Sequence, residues 1–282
     1  MAGGTEFQRR EAATAALTVA SKAGHRRELI DIAGDYVTAE EVDVNIGGKV
    51  VFRLYPSKND MTLIGAPGAV GHAINIMELL RSKKPEIPRF YAAQDEDLSI
   101  VAKSAPTTRQ DIYFYDMVTG EVLSHALPGG SDGLPRPYIA WVTHSQALAA
   151  TGVYALNTSL APTGMPAIAD KYTFAGFNFR MLGIIFASAK STVGTTTPTW
   201  LRMFDGDVFM FDDDRDGLLI DITHNELKCD VTVGKLFMLE RPHLFSERTQ
   251  IGLEMYITHD GTNDIAAGVE LLGLVGLLEP VA

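Results

Sequence analysis

The sequence predicts a mainly β protein: an antiparallel sandwich or barrel, with an N-terminal helix or arm and one short helix near residues 72–81. Three observations lead there. Short β-branched and aromatic runs recur from about Val42 onward, most of them fenced by Gly, Pro, Ser or Thr. About eight such runs crowd into the last ~110 residues, the spacing of an antiparallel sandwich or barrel. No repeating βαβ pattern accompanies them, and no internal sequence repeat can be aligned.

Taken in order, the segment Glu6 to Ala23 is rich in Ala, Glu, Gln and Arg and has no Pro or Gly, so it reads as a helix or a peripheral arm. Val42-Asp-Val-Asn-Ile alternates apolar and polar, Gly47-Gly48 makes a turn, and Lys49-Val-Val-Phe-Arg-Leu-Tyr returns, a hairpin signal. Met61 to Ile64 reads as a short strand. His72 to Arg81 places Ile74, Met77 and Leu80 on one helical face, and Pro85 and Pro88 end it. Leu98 to Ala102, Asp111 to Val118, Glu121 to Leu123 and Tyr138 to Val142 are strands by composition. Leu127 to Pro137 and Ala161 to Pro166 are loops.

Beyond the second loop, strands are expected over Tyr172–Met181, Gly183–Ala187, Trp200–Phe204, Val208–Phe211, Leu218–Thr223, Val231–Val233, Leu236–Leu239, Gln250–Thr258 and Ile265–Leu278. The organisation that follows is an arm or helix over 1–38, a β-rich first half over 39–165 with loop and helix insertions, and an antiparallel half over 166–282.

Composition narrows the function. The 282 residues carry a formal charge of −11, which argues against a surface that grips nucleic acid everywhere. The charge is uneven: Arg9, Arg10, Lys22, Arg26 and Arg27 outweigh Glu6 and Glu11, so the N-terminal segment is locally basic. One cysteine, Cys229, excludes an intrachain disulfide framework and a multi-cysteine zinc site. No apolar run reaches the ~18 residues of a membrane-spanning helix. The N-terminus does not read as a secretory signal, because its apolar stretch is short and broken by threonine.

Few motifs carry chemistry. Gly65-Ala-Pro-Gly68-Ala-Val-Gly71 opens the expected helix, but its spacing is not that of a dinucleotide loop and Pro67 removes a donor. Asp212, Asp214 and Asp216, followed by Gly217, match the front half of a calcium loop; the twelfth position is Thr223, so the bidentate glutamate is missing. A solvated acidic turn is the competing reading. His259-Asp260-Gly261-Thr262-Asn263-Asp264 contains a His/Asp pair suited to general-base work, yet it is also ordinary hairpin-turn chemistry. The seven histidines are scattered; His224 and Glu226 could share a strand face, with no second histidine beside them. No catalytic residue is assigned.

The C-terminal stretch carries a resemblance. Phe237-Met-Leu-Glu-Arg-Pro-His-Leu-Phe leads into a long strand, a polar turn, and a final Val269-Glu-Leu-Leu-Gly-Leu-Val-Gly-Leu-Leu-Glu-Pro strand. With the aromatic strand Tyr172-Thr-Phe-Ala-Gly-Phe-Asn-Phe-Arg, this resembles the jelly-roll structural proteins of bacteriophages and archaeal viruses over about 110 residues. The final strand is longer and more apolar than that pattern expects. The resemblance implies a jelly-roll sandwich, one elaborated barrel or two, in a non-enzymatic capsid subunit that self-assembles through lateral contacts. It implies a virion location after synthesis in the host cytoplasm. The implied partners are copies of the chain, other virion proteins, and packaged nucleic acid or an inner membrane. Arg9, Arg10, Lys22, Arg26 and Arg27 would make that last contact. No cofactor is implied; a structural Ca2+ at Asp212, Asp214 and Asp216 is the one candidate. Two alternatives stay open: a β-sandwich binding module, lectin-like or from a tail fibre, and a cupin-like metalloenzyme.

Overall fold

The computed structural model describes residues 5–34, 41–54, 71–72, 90–103, 109–118, 135–160, 174, 176–187, 197–209, 220–221, 237–268 and 271–281. Among the described residues every regular element is a strand, and nearly all strand pairs are antiparallel. The chain divides into two compact units, Met1–Tyr138 and Ile139–Ala282. The divisions expected from the sequence fall after residues 38 and 165. Thr5–Ala12 and His25–Gly34 both pair with Gln110–Val118, and Ala16–Val19 pairs with Leu98–Ala102.

The first unit contains β1 (Thr5–Ala12), β2 (Ala16–Val19), β3 (His25–Gly34), β4 (Val42–Ile46), β5 (Lys49–Leu54), β6 (Gly71–His72), β7 (Tyr91–Ala92), β8 (Leu98–Ala102) and β9 (Gln110–Val118). One sheet runs β1-β9-β3-β6, with β7 also on β3; the other runs β2-β8-β4-β5. Alternation sets which face is buried. Val42, Val44 and Ile46 of β4 and Leu98, Ile100 and Ala102 of β8 are buried, while the residues between them are not. Leu29, Ile32, Ile112 and Phe114 supply the apolar face of the other sheet. The β4–β5 hairpin forms where expected. Gly47 (φ 56°) and Gly48 (φ 75°) both take the positive φ that a tight type I′ turn requires.

The helix expected over Glu6–Ala23 is not formed; β1 and β2 occupy that segment. Residue propensity favours helix there. It is overridden by pairing along the whole of β1, from Thr5↔Met117 to Ala12↔Gln110, against the aromatic strand β9. At the helix expected near 72–81, His72 is extended and paired with Ala33; residues 73–81 lie outside the described residues.

The second unit contains β10 (Arg136–Thr143), β11 (Gly152–Ala155), β12 (Thr158–Ser159), β13 (Phe177–Ala187), β14 (Thr197–Asp205), β15 (Val208–Phe209), β16 (Ile220–Asp221), β17 (Phe237–Phe245), β18 (Ile251–Thr258) and β19 (Leu271–Pro280). Its sheets run β12-β10-β19-β13-β17 and β11-β18-β14-β15, with β16 also on β14. The two strands expected over Tyr172–Ala187 are one, β13, broken in register by a bulge between Met181 and Gly183.

Both units obey one order. Let β6 and β7, and likewise β15 and β16, share a place, and leave out the extra β12. Among the described residues each unit then has eight strands, in the orders 1-8-3-6 and 2-7-4-5. That is the double-sheet, double Greek-key pattern of a jelly roll. The chain therefore holds two jelly rolls in tandem, although their sequences show no alignable repeat.

The apolar run at the C-terminus has a physical cause. Leu271, Leu272, Leu274, Val275 and Leu278 are all buried, so β19 is covered on both faces and cannot show alternation. Its glycines make room for aromatic rings from neighbouring strands. A Cβ on Gly273 would meet Trp141 at 2.9 Å, and one on Gly276 would fall on the Arg180 carbonyl oxygen and the Phe179 ring. Gly276→Ala is therefore expected to destabilise the protein by about 1–3 kcal/mol. Gly152→Ala, where the added methyl meets nothing within 4 Å, should leave the melting temperature unchanged or slightly raised. Thermal denaturation of the two variants checks the contrast.

Candidate assembly surface

The N-terminal basic residues are distributed by the pleat of the first sheet. In register, Phe7, Arg9 and Glu11 of β1 stand beside Tyr115, Tyr113 and Asp111 of β9 on one face. Arg26 and Glu28 of β3 continue that face, while Arg27, Leu29 and Ile32 turn to the other with Asp116, Phe114 and Ile112. The first of these faces is aromatic and charged. Phe7 is 57% exposed; its ring centroid lies 6.2 Å from that of Tyr113, stacked, and 6.2 Å from that of Tyr115, edge-on.

Arg9 is bound within this face. Its Nε and Nη2 donate to Asp111 Oδ1 at 3.1 and 2.9 Å, and Nη2 also donates to Glu11 at 2.8 Å. The bond to Asp111 raises the Arg9 pKa above its usual value. Asp111 is buried, and Arg109 approaches its other oxygen at 3.6 Å. Arg26 pairs with Glu28 and lies 4.7 Å from the centroid of the Tyr91 ring.

Arg27 is elsewhere. It is 5% exposed, on the opposite face, with Nε and Nη1 making no hydrogen bond. Burial pulls its pKa below the usual value, and the charges of Asp116 and Asp97 oppose that shift. Asp116 also holds His25 (Nδ1 at 2.7 Å) and Lys22 (Nζ at 3.9 Å). Arg10 is exposed and has no ion pair or hydrogen bond among the described residues. So Lys22 reaches Asp116, Arg27 is buried within range of the same charge, Arg9 and Arg26 flank β9 on the opposite face, and Arg10 and Lys22 are the two whose charge reaches solvent most freely.

Sequence reasoning missed Phe7, Tyr113, Tyr115 and Asp111. Their signal is present in Asp111-Ile-Tyr-Phe-Tyr-Asp, where alternate residues are aromatic or acidic. It was hidden because the other face of β9 is apolar too, so the strand reads as core throughout.

The second unit offers a shallow cleft of about 330 Å³ on β18, lined by residues that include Ala155, Asn157, Phe204, Asp207, Gly252 and Glu254. Gly252 is part of its lining and lies under the Phe204 side chain, which an added Cβ would meet at 2.9 Å. Arg202 pairs with Glu254 at its margin. The His/Asp turn also lies in this unit. His259 Nε2 is 3.0 Å from Asp264, its Nδ1 accepts the Gly261 N–H at 2.8 Å, and Asp260 accepts from the N–H groups of Thr262 and Asn263. Both imidazole nitrogens are thus engaged inside the turn, leaving neither to take a substrate proton in this arrangement. Among the described residues no three His, Cys, Asp or Glu side chains group as metal ligands. Asp212, Asp214, Asp216, His224, Glu226, Cys229 and the Gly65–Gly68 loop lie outside the described residues.

Against known proteins, the sequence matches no protein-family model and no curated protein. The structure does find relatives. It is similar to the crystal structure of the STIV major capsid protein, with a TM-score of 0.50 and 11% identity, over 99% of this chain and 97% of that one. It is equally similar to the major capsid protein P2 from bacteriophage PM2, with a TM-score of 0.50 and 12% identity, over 99% and 98%. The chain has the fold of a viral major capsid protein. Both likenesses run end to end, so they include both jelly rolls. The jelly-roll expectation from the C-terminal pattern holds: Arg241-Pro-His-Leu-Phe is the end of β17, with Phe245 in the core, 6.5 Å from the Phe179 ring.

Deleting residues 1–27 removes β1, β2 and the start of β3, and with them the edge of one sheet and the outer strand of the other. The expected outcome is loss of the first unit's cooperative unfolding transition, not a well-folded protein lacking an arm. Calorimetry of the truncated chain, with far-ultraviolet circular dichroism, reads the difference.

Proposed function

We propose that the protein is the structural subunit of a virus capsid, assembling with copies of itself through lateral contacts between jelly-roll cores. The observation that carries this reading is the tandem pair of jelly rolls with one strand order, similar over 99% of the chain to two viral major capsid proteins. The virion would be its location, after synthesis in the host cytoplasm, and other virion proteins would be its neighbours.

Contact with packaged nucleic acid or an inner membrane would fall to the N-terminal basic residues. Of the five N-terminal basic residues, Arg9 and Arg26 are held by carboxylates and Arg27 is buried. With Arg10 and Lys22 as the contributors, the electrostatic term is small. The slope of log K against log salt for single-stranded nucleic acid should not exceed about 2 in magnitude, and filter binding across a salt series measures it.

The direct test is the mass of the purified native material by light scattering, with electron micrographs of the same sample. Megadalton shells, or symmetric oligomers that close into shells, are the expected result. A monomer at high concentration that forms no shell under any salt or pH condition would count against the capsid reading.

A further inference from the structure

We infer that β1 is a self-pairing edge, and that two copies of this chain join through it into one continuous antiparallel sheet. This rests on the capsid reading above and names one of its lateral contacts. β1 ends the order β1-β9-β3-β6, so no strand lies on its outer side among the described residues. Its side chains are almost all exposed, Phe7 at 57%. An open edge of eight residues presents a row of unpaired N–H and C=O groups to any chain that can match it.

Symmetry restricts the match. A two-fold axis normal to the sheet keeps each side chain on its own face, so paired residues must have the same parity, and the axis must pass through a residue. Centring on Gln8 overlaps Thr5 to Glu11 and pairs Glu6 with Arg10, Phe7 with Arg9 and Thr5 with Glu11, each twice. The exposed Arg10, which has no ion pair among the described residues, gains a carboxylate. The exposed Phe7 gains a guanidinium already lying 5.9 Å from the Tyr113 ring centroid, so the aromatic row continues across the axis. The neighbouring choices are worse. Centring on Arg9 sets Arg9 against Arg9 and Phe7 against Glu11. Centring on Phe7 shortens the overlap to Thr5–Arg9, sets Glu6 against Gln8, and leaves Arg10 outside. The charges that guard this edge against arbitrary partners therefore select one register with a second copy.

The test is charge reversal with rescue. Arg10→Glu and Glu6→Arg should each weaken self-association about tenfold, since each reverses two symmetric cross-strand pairs, and the double variant should restore it. Sedimentation velocity over a concentration series reads the change, and circular dichroism checks that each variant is folded. In a Cys229→Ser background, Gln8→Cys should form an intermolecular disulfide quickly on oxidation. Thr18→Cys, exposed on β2, should not. Unchanged association in both single variants, or cross-linking no faster at residue 8 than at residue 18, overturns the inference. If those variants still build shells with parental yield, β1 pairing fails while the capsid reading stands. A parent protein that neither dimerises nor forms shells sinks both.

Discussion

Each unit depends on its last strand. β9 lies between β1 and β3, and β19 lies between β10 and β13, so the sheet that joins the start of a unit to its middle exists only once the end arrives. The pairing Thr5↔Met117 spans most of the first unit, and Phe177↔Pro280 most of the second. Such closures cost chain entropy before they return contacts. What repays the cost is visible in the closing strands. β9 brings Ile112, Phe114 and the tyrosines; β19 is buried on both faces. Without β9 there is no aromatic face for Phe7, no buried Asp111 for Arg9, and no Asp116 for Lys22, His25 and Arg27.

Much of the architecture was legible because burial on one face leaves a period of two. Leu98–Ala102 is a strand with the bounds its alternation predicts, and Gly47-Gly48 turns as a pair of positive-φ residues must. The polar sequence after Thr258 proved to be a turn, since Asp260 caps two following N–H groups there. The segment Glu6–Ala23 reads as helix because its residues, taken one at a time, prefer it; the deciding partners, β9 for β1 and β8 for β2, lie far along the chain. The number of barrels was likewise not legible. Two jelly rolls can share a strand order while sharing no sequence pattern, because the order is set by which faces must be covered.

The basic N-terminus shows how a charge count can mislead about a surface. Five cations lie in 27 residues, but a sheet assigns them to different faces and gives most of them an acidic neighbour. An isolated helix would have left them displayed. Placing them on β1 and β3 turns a patch into a set of local pairs, and leaves mainly short-range electrostatics at the surface.

The turn at 259–264 is held by bonds within itself and by the Thr151 hydroxyl, which accepts the His259 N–H. Its tip, Gly261-Thr262, is exposed. The bonds from the Thr262 and Asn263 N–H groups to Asp260 run across that tip, so they fix its length while the Thr262 side chain stays outside them. A single-residue label at the exposed Thr262 would keep those bonds, whereas a peptide spliced between Gly261 and Thr262 would break them.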